Sequence, residues 1–168
     1  MEENLSMADL PERKHPRLKE YDYSRNGCYF VTICTKNRQQ ILSSVTVGRG
    51  DLTPPSVQLT EIGAIVEKYI LGIETAYESV FLDSHIIMPD HIHLLLRIED
   101  PDSGGMGSSR PTLPQVIRAL KSMMTKEIGH SIWQTSFYDH IIRSEQAYCE
   151  ICQYIDSNPA KWLETNPS

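Results

Sequence analysis

Val80-Phe-Leu-Asp-Ser-His-Ile-Ile-Met-Pro-Asp-His-Ile-His-Leu-Leu-Leu-Arg-Ile98 is the stretch that decides the fold. Val80 to Met88 reads as a strand, Pro89-Asp90 as a turn, and His91 to Ile98 as a second strand. Alternation assigns the faces of the second strand: Ile92, Leu94, Leu96 and Ile98 point one way, His91, His93, Leu95 and Arg97 the other. The first face is wholly apolar and needs a layer packed on it. The other begins with two imidazoles, and the turn before them predicts a sheet-edge position open to a third ligand and a substrate.

Upstream, Cys28-Tyr-Phe-Val-Thr-Ile-Cys-Thr35 follows the turn signal Asn26-Gly27 and is β-branched and aromatic enough for a strand. Gly48, Gly50, Pro54 and Pro55 mark residues 43–57 as a loop or irregular hairpin. From Thr60 as N-cap, Ile62, Ile65, Val66, Tyr69, Ile70 and Ile73 recur at helical spacing. Residues 100–112 have the composition of a flexible linker, and Val116, Ile117, Leu120, Met123, Met124 and Ile128 define a second helix. Trp133 to Ile142 fits a short strand or an irregular segment. A last helix is predicted from about Ser144 to Ser157, stopped by Asn158-Pro159. The order strand, helix, two strands, helix, possible strand, helix predicts an α+β sandwich of ferredoxin-like topology, a central mostly antiparallel sheet with helices packed on it.

The chain has 168 residues, 40% of them apolar, which suits one domain with a proper core and is too short for a (β/α)₈ barrel. We expect a loose arm over 1–16, a single domain over 17–162 and a short tail over 163–168. No apolar run approaches the roughly 20 residues needed to cross a bilayer, and Met1 to Pro16 lacks the apolar stretch of a secretion signal, so a cytoplasmic protein without membrane contact is expected. The 16 Lys+Arg against 22 Asp+Glu give a formal charge of −6, which on average disfavours a nucleic-acid partner. The charge is unevenly spread. Arg13 to Arg38 holds seven basic and two acidic residues, Ile41 to Arg110 four basic and ten acidic. Cys28, Cys34, Cys149 and Cys152 lie in apolar, periodic segments and read as buried free thiols.

Alternate residues of a strand lie about 6 to 7 Å apart, so His91 and His93 can converge on one metal ion. Their neighbours exclude several His-x-His chemistries. Leu95 stands where metallo-β-lactamase-like hydrolases carry Asp, no His-x-Thr/Ser is present, and the His-x-Glu with Pro-Cys-x-x-Cys of zinc deaminases is missing. On the last helix Tyr154 and Asn158 are four apart, on one face with Ala147 and Ile151. They read either as a buried tyrosine and a helix cap or, if that face packs over the histidines, as a phenol and an amide beside a metal. Tyr138-Asp139-His140 is a second local constellation, and His140 and His85 are reserve ligands.

Met88-Pro-Asp-His-Ile-His93 followed by Tyr154-Ile-Asp-Ser-Asn-Pro159 resembles the HUH single-tyrosine transposases of bacterial insertion sequences and their REP-associated relatives. Tyr21-Asp-Tyr-Ser, Tyr29 to Arg38, Leu59-Thr-Glu-Ile-Gly63, Ile132-Trp-Gln134 and Phe137 to Arg143 resemble family segments in the same order, so the likeness spans most of 17–162. It implies the HUH endonuclease fold, with His91, His93 and Asn158 as ligands of Mg²⁺ or Mn²⁺ and Tyr154 as a nucleophile that cleaves single-stranded DNA through a 5′-phosphotyrosine link. Single-stranded or hairpin DNA is the implied partner, with Arg17, Arg25, Lys36, Arg38, Arg118, Lys121 and Lys126 as candidate backbone contacts. A homodimer is compatible with the resemblance. Asp90 departs from it, standing where relatives often carry Asn. A non-catalytic or domesticated hairpin-DNA-binding descendant, and a small hydrolase using His91, His93 and His140, are the alternatives.

Overall fold

The structure, a computed structural model, describes residues 27–50, 52–99 and 111–167. The expected arm over 1–16, and Arg17 and Arg25 with it, lie outside the described residues, as does nearly all of the linker. Among these residues six strands and four α-helices follow one another as β1 (Gly27–Cys34), β2 (Ser43–Thr46), β3 (Ser56–Leu59), α1 (Glu61–Leu71), α2 (Ile73–Ala76), β4 (Val80–Ile87), β5 (His91–Ile98), α3 (Leu113–Ile128), β6 (Tyr138–Ile141) and α4 (Glu145–Thr165). β4, β5, β1 and β6 form one sheet in that order, every pair antiparallel. β2 and β3 make a separate hairpin, which resolves residues 43–57.

The apolar face of the sheet is covered as the alternation requires. Ile92, Leu94, Leu96 and Ile98 join Val31 and Ile33 of β1 and Val66, Ile70, Val116, Ile117, Leu120 and Met124 of α1 and α3 in the main core. α1 starts where expected, the Thr60 side chain accepting from Gly63 N at 3.0 Å. α3 starts with a capping box, Thr112 and Gln115 bonding each other's backbone N–H, and ends at Gly129, whose φ of 95° glycine tolerates. The α1 periodicity does not carry through to Ile73, because the backbone turns at Gly72 and restarts as the short α2.

The second face of the sheet receives α4. Cys28, Leu95, Ile142, Tyr148 and Ile155 form a smaller core there, with Phe30, Ile86, Ala147, Ile151 and Cys152 packed around it. A bulge in β4 between Leu82 and Ser84 leaves Asp83 unpaired in the ladder. Its buried carboxylate accepts from Arg97 Nε at 2.7 Å and from Tyr148 Oη at 2.9 Å, which fastens the first half of α4 to the sheet. Burial and the Asp83 charge push the neighbouring Cys28 thiol up to about 12, and burial likewise raises Tyr148, so both stay protonated. All four cysteines are free, Cys28 and Cys34 buried, Cys149 and Cys152 half-buried.

Two expectations are corrected. α4 does not stop before Asn158 but continues through Pro159 to Thr165. Proline removes one helical hydrogen bond, yet here Ile155, Asn158 and Pro159 are buried, and that packing keeps the helix going. The histidine strand β5 is an inner strand, between β4 and β1. The pair is reached from the N-terminal end of β5 and from the α4 face.

Candidate active site

The turn that carries His91 is pinned by β1 and the segment after it. Thr35 N and Thr35 Oγ1 donate to the Asp90 carbonyl at 3.0 and 3.1 Å, Leu42 N donates to the Pro89 carbonyl at 3.0 Å, and Met88 N to the His91 carbonyl at 2.8 Å. His91 and His93 thus leave a fixed turn with both rings on the α4 face, their centroids 4.6 Å apart. α4 passes over them. The Tyr154 ring lies 5.5 Å from His93 and edge-on to Phe30 at 5.9 Å, and Trp162 lies 6.2 Å from His91, all within one chain.

Both histidines are oriented through Nδ1. His91 Nδ1 donates to Asp90 Oδ1 at 2.6 Å, and the other oxygen of that carboxylate accepts from Arg38 Nε at 3.0 Å. His93 Nδ1 shares a hydrogen bond of 2.9 Å with Thr32 Oγ1, its cross-strand neighbour. Nε2 of His93 is buried and has no hydrogen-bond partner among the described residues. A buried polar nitrogen left bare is costly unless something fills the site. Burial first, and then the charges of His91 and Arg38, push His93 down to about 3, so its ring is neutral, and with the ring proton on Nδ1 and donated to Thr32 Oγ1, Nε2 carries a lone pair. Asn158 is buried as well, and its Nδ2 donates to the Tyr154 carbonyl at 3.2 Å, which leaves Oδ1 as the atom open to a cation. Among the described residues no group of three or more His, Cys, Asp or Glu is placed to hold a metal.

These residues line a cleft of about 630 Å³, whose walls also include Phe30, Thr32, Cys34, Arg38, Tyr138 and Lys161. It brings together His91, His93, Tyr154 and Asn158, the four residues singled out for chemistry. Of the candidate DNA contacts among the described residues, only Arg38 lines it, with its guanidinium divided between Asp90 and Cys34 Sγ, the latter at 2.7 Å. Lys36 is exposed on the short turn Lys36–Arg38 beside it. Arg118 and Lys126 are exposed on α3, the layer on the far side of the sheet. Lys121 Nζ donates to the carbonyls of Gln134 at 2.6 Å and Thr135 at 3.2 Å, and partial burial lowers its pKa. Of the reserve ligands, His85 stands opposite Leu94 and faces Glu67 of α1 at 3.6 Å, on the wrong side of the sheet. His140 stands opposite Phe30, exposed and outside the cleft lining.

Sequence reasoning missed Thr32, Asp90 as an orienting group, Lys161 and Trp162. The last two were within reach, because Tyr154, Asn158, Lys161, Trp162 and Thr165 share one helical stripe once the helix is allowed past Pro159.

No family model matches the chain. An uncharacterized protein of Haemophilus influenzae is 30% identical over 174 residues, covering 92% of this chain and 92% of its own length. The REP-associated tyrosine transposase of Escherichia coli is 26% identical over 145 residues, 84% of this chain and 73% of its own. A solved structure of a REP-associated tyrosine transposase bound to a REP hairpin matches 90% of this chain and 74% of its own, with a TM-score of 0.59 at 19% identity, and so shares the fold. Sequence relatives and fold lead to the same group, and the chain belongs to the HUH family of REP-associated tyrosine transposases.

Proposed function

We propose that this protein is a metal-dependent strand transferase that cleaves single-stranded DNA at Tyr154 and rejoins it. The observation that carries the reading is the bare, neutral, buried Nε2 of His93, set beside His91 and under the Tyr154 ring. The residues present fit a hard divalent cation, Mg²⁺ or Mn²⁺, held by Nε2 of His91, Nε2 of His93 and Oδ1 of Asn158, with Asp90 and Thr32 fixing the ring orientations. When bound, the cation draws charge from a phosphate oxygen.

The chain's own groups do the rest. The Tyr154 oxygen attacks the scissile phosphorus, a phenol-oxygen-to-phosphorus bond forms, and the bond from phosphorus to the 3′-oxygen breaks. The phenolic proton leaves to solvent, and the 3′-oxygen takes one up as it departs as a free hydroxyl. One phosphodiester is exchanged for another, so no external energy is needed and the hydroxyl of a second strand can reverse the step. Lys161 at the cleft supplies a cation for the backbone in a chain of net charge −6. By analogy with the relative bound to a REP hairpin, a hairpin end with a single-stranded flank is the proposed substrate.

The test is incubation with such DNA and Mn²⁺, followed by a denaturing gel. A covalent adduct that disappears with chelator and in Tyr154→Phe is expected. Hairpin binding without adduct, unchanged by chelator and by Tyr154→Phe, would identify a non-catalytic hairpin-binding descendant instead.

A further inference from the structure

We propose that the cleft also contains a stacking subsite, formed by Trp162 and Tyr138, for an unpaired nucleobase next to the cleaved phosphate. This deepens the strand-transfer reading and rests on it. Trp162 comes from the end of α4 and Tyr138 from the edge strand β6, and both line the same cleft as the histidines. Tyr138 stands opposite Thr32, whose hydroxyl holds His93, so its ring lies on the histidine face about two strand spacings, on the order of 10 Å, from that ring. That is the reach of a nucleotide rather than of a single phosphate.

The two rings differ from the other aromatics of this face. Phe30 is stacked on His93 at 4.9 Å, and Tyr148 is buried and bonded to Asp83. Tyr138, in contrast, is 65% exposed and its hydroxyl makes no hydrogen bond among the described residues, and Trp162 is half-buried with its ring turned toward the cleft. The charges around them favour a polyanion. The lining's one acid, Asp90, is paired with Arg38 and accepts from His91 Nδ1, whereas the Lys161 ammonium, 4.6 Å over the Tyr154 ring, forms no ion pair among the described residues. Aromatic faces beside an unspent cation in a groove suit a single strand of DNA, because the cation takes the backbone and every base offers a π-face. Paired bases within a duplex have no free face to offer.

The chain has two tryptophans, and Trp133 is 3% exposed, so Trp162 is the accessible reporter. Oligothymidylate should quench the intrinsic fluorescence of the wild type and of Tyr154→Phe alike, and bind about tenfold more tightly than an abasic strand of the same length. Trp162→Leu should abolish the quenching and bring the two affinities together by weakening only oligothymidylate. Tyr138→Leu, at an exposed edge position, should narrow the ratio with the fold intact, and Trp162→Phe should keep it. Equal affinity of the wild type for both strands, or a full ratio in folded Trp162→Leu, overturns the subsite. If adducts at Tyr154 still form, strand transfer survives that result. A full ratio without any adduct refutes strand transfer and leaves a base-binding cleft.

Discussion

His93 is neutral in the folded protein, and acid should reveal it. In the unfolded chain the ring takes a proton below its ordinary pKa of 6.5, whereas in the fold burial and the neighbouring His91 and Arg38 charges hold it down to about 3. Between these two values the unfolded state carries a proton that the native state lacks, so stability from this group is complete above about pH 7 and falls as pH drops from 6.5 towards 3. Linkage gives a loss of about 2 kcal/mol between pH 7 and pH 5 from this residue alone. The assay is urea denaturation at both pH values, for the wild type and for His93→Gln, which keeps a hydrogen-bonding group near Thr32 and does not titrate. The wild type should lose about 2 kcal/mol more than the variant over that interval. Equal losses would mean that the ring is hydrated or protonated in the fold, and the argument for a bare, ligand-ready Nε2 would fall with it.

Three substitutions probe the parts around it. Thr32→Val removes the hydroxyl that orients His93 while keeping the shape, so Mn²⁺ affinity measured by calorimetry should fall about 10- to 100-fold, with little change in melting temperature. Lys121→Met breaks the ties to the Gln134 and Thr135 carbonyls and should cost about 1 kcal/mol in chemical denaturation while leaving DNA affinity unchanged; an equal stability with weaker DNA binding would make Lys121 a backbone contact after all. Gly63→Ala sets a Cβ 2.0 Å from the Leu42 carbonyl, which also accepts from Thr60, so thermal denaturation should show α1 detached or shifted and a clear drop in stability.

Much of this was legible in the sequence because it rests on local, periodic signals. The alternation in His91 to Ile98 assigned both faces of β5, and Thr60 marked the start of α1. The cleft residues His91, His93, Tyr154 and Asn158 were each visible as motif members, and the fold brings the four together. What local reading could not supply was depth in the sheet and tertiary override. The Pro89-Asp90 turn looked like access from a sheet edge, but long-range pairing with β1 and β4 makes β5 an inner strand. Pro159 carries a strong helix-stop signal, and only the packing of Ile155, Asn158 and Pro159 against the rest of the protein cancels it, which hid Lys161 and Trp162. Lys121 had the pattern of a solvated or phosphate-facing lysine because the carbonyls it meets, Gln134 and Thr135, are brought to it by the fold. Asp90 looked like a turn residue, and its work on His91 and Arg38 depends on side-chain geometry that spacing does not encode.

On the strand-transfer reading proposed above, Tyr154, and not the exposed Tyr138 of the same cleft, forms the covalent bond with DNA. Trypsin digestion of the purified adduct followed by fragment mass spectrometry decides it. A deoxynucleotide 5′-phosphate is expected on the peptide Ser144 to Lys161, assigned to Tyr154 by the fragment series that separates it from Tyr148. A nucleotide on the peptide Glu127 to Arg143, which carries Tyr138, would contradict it.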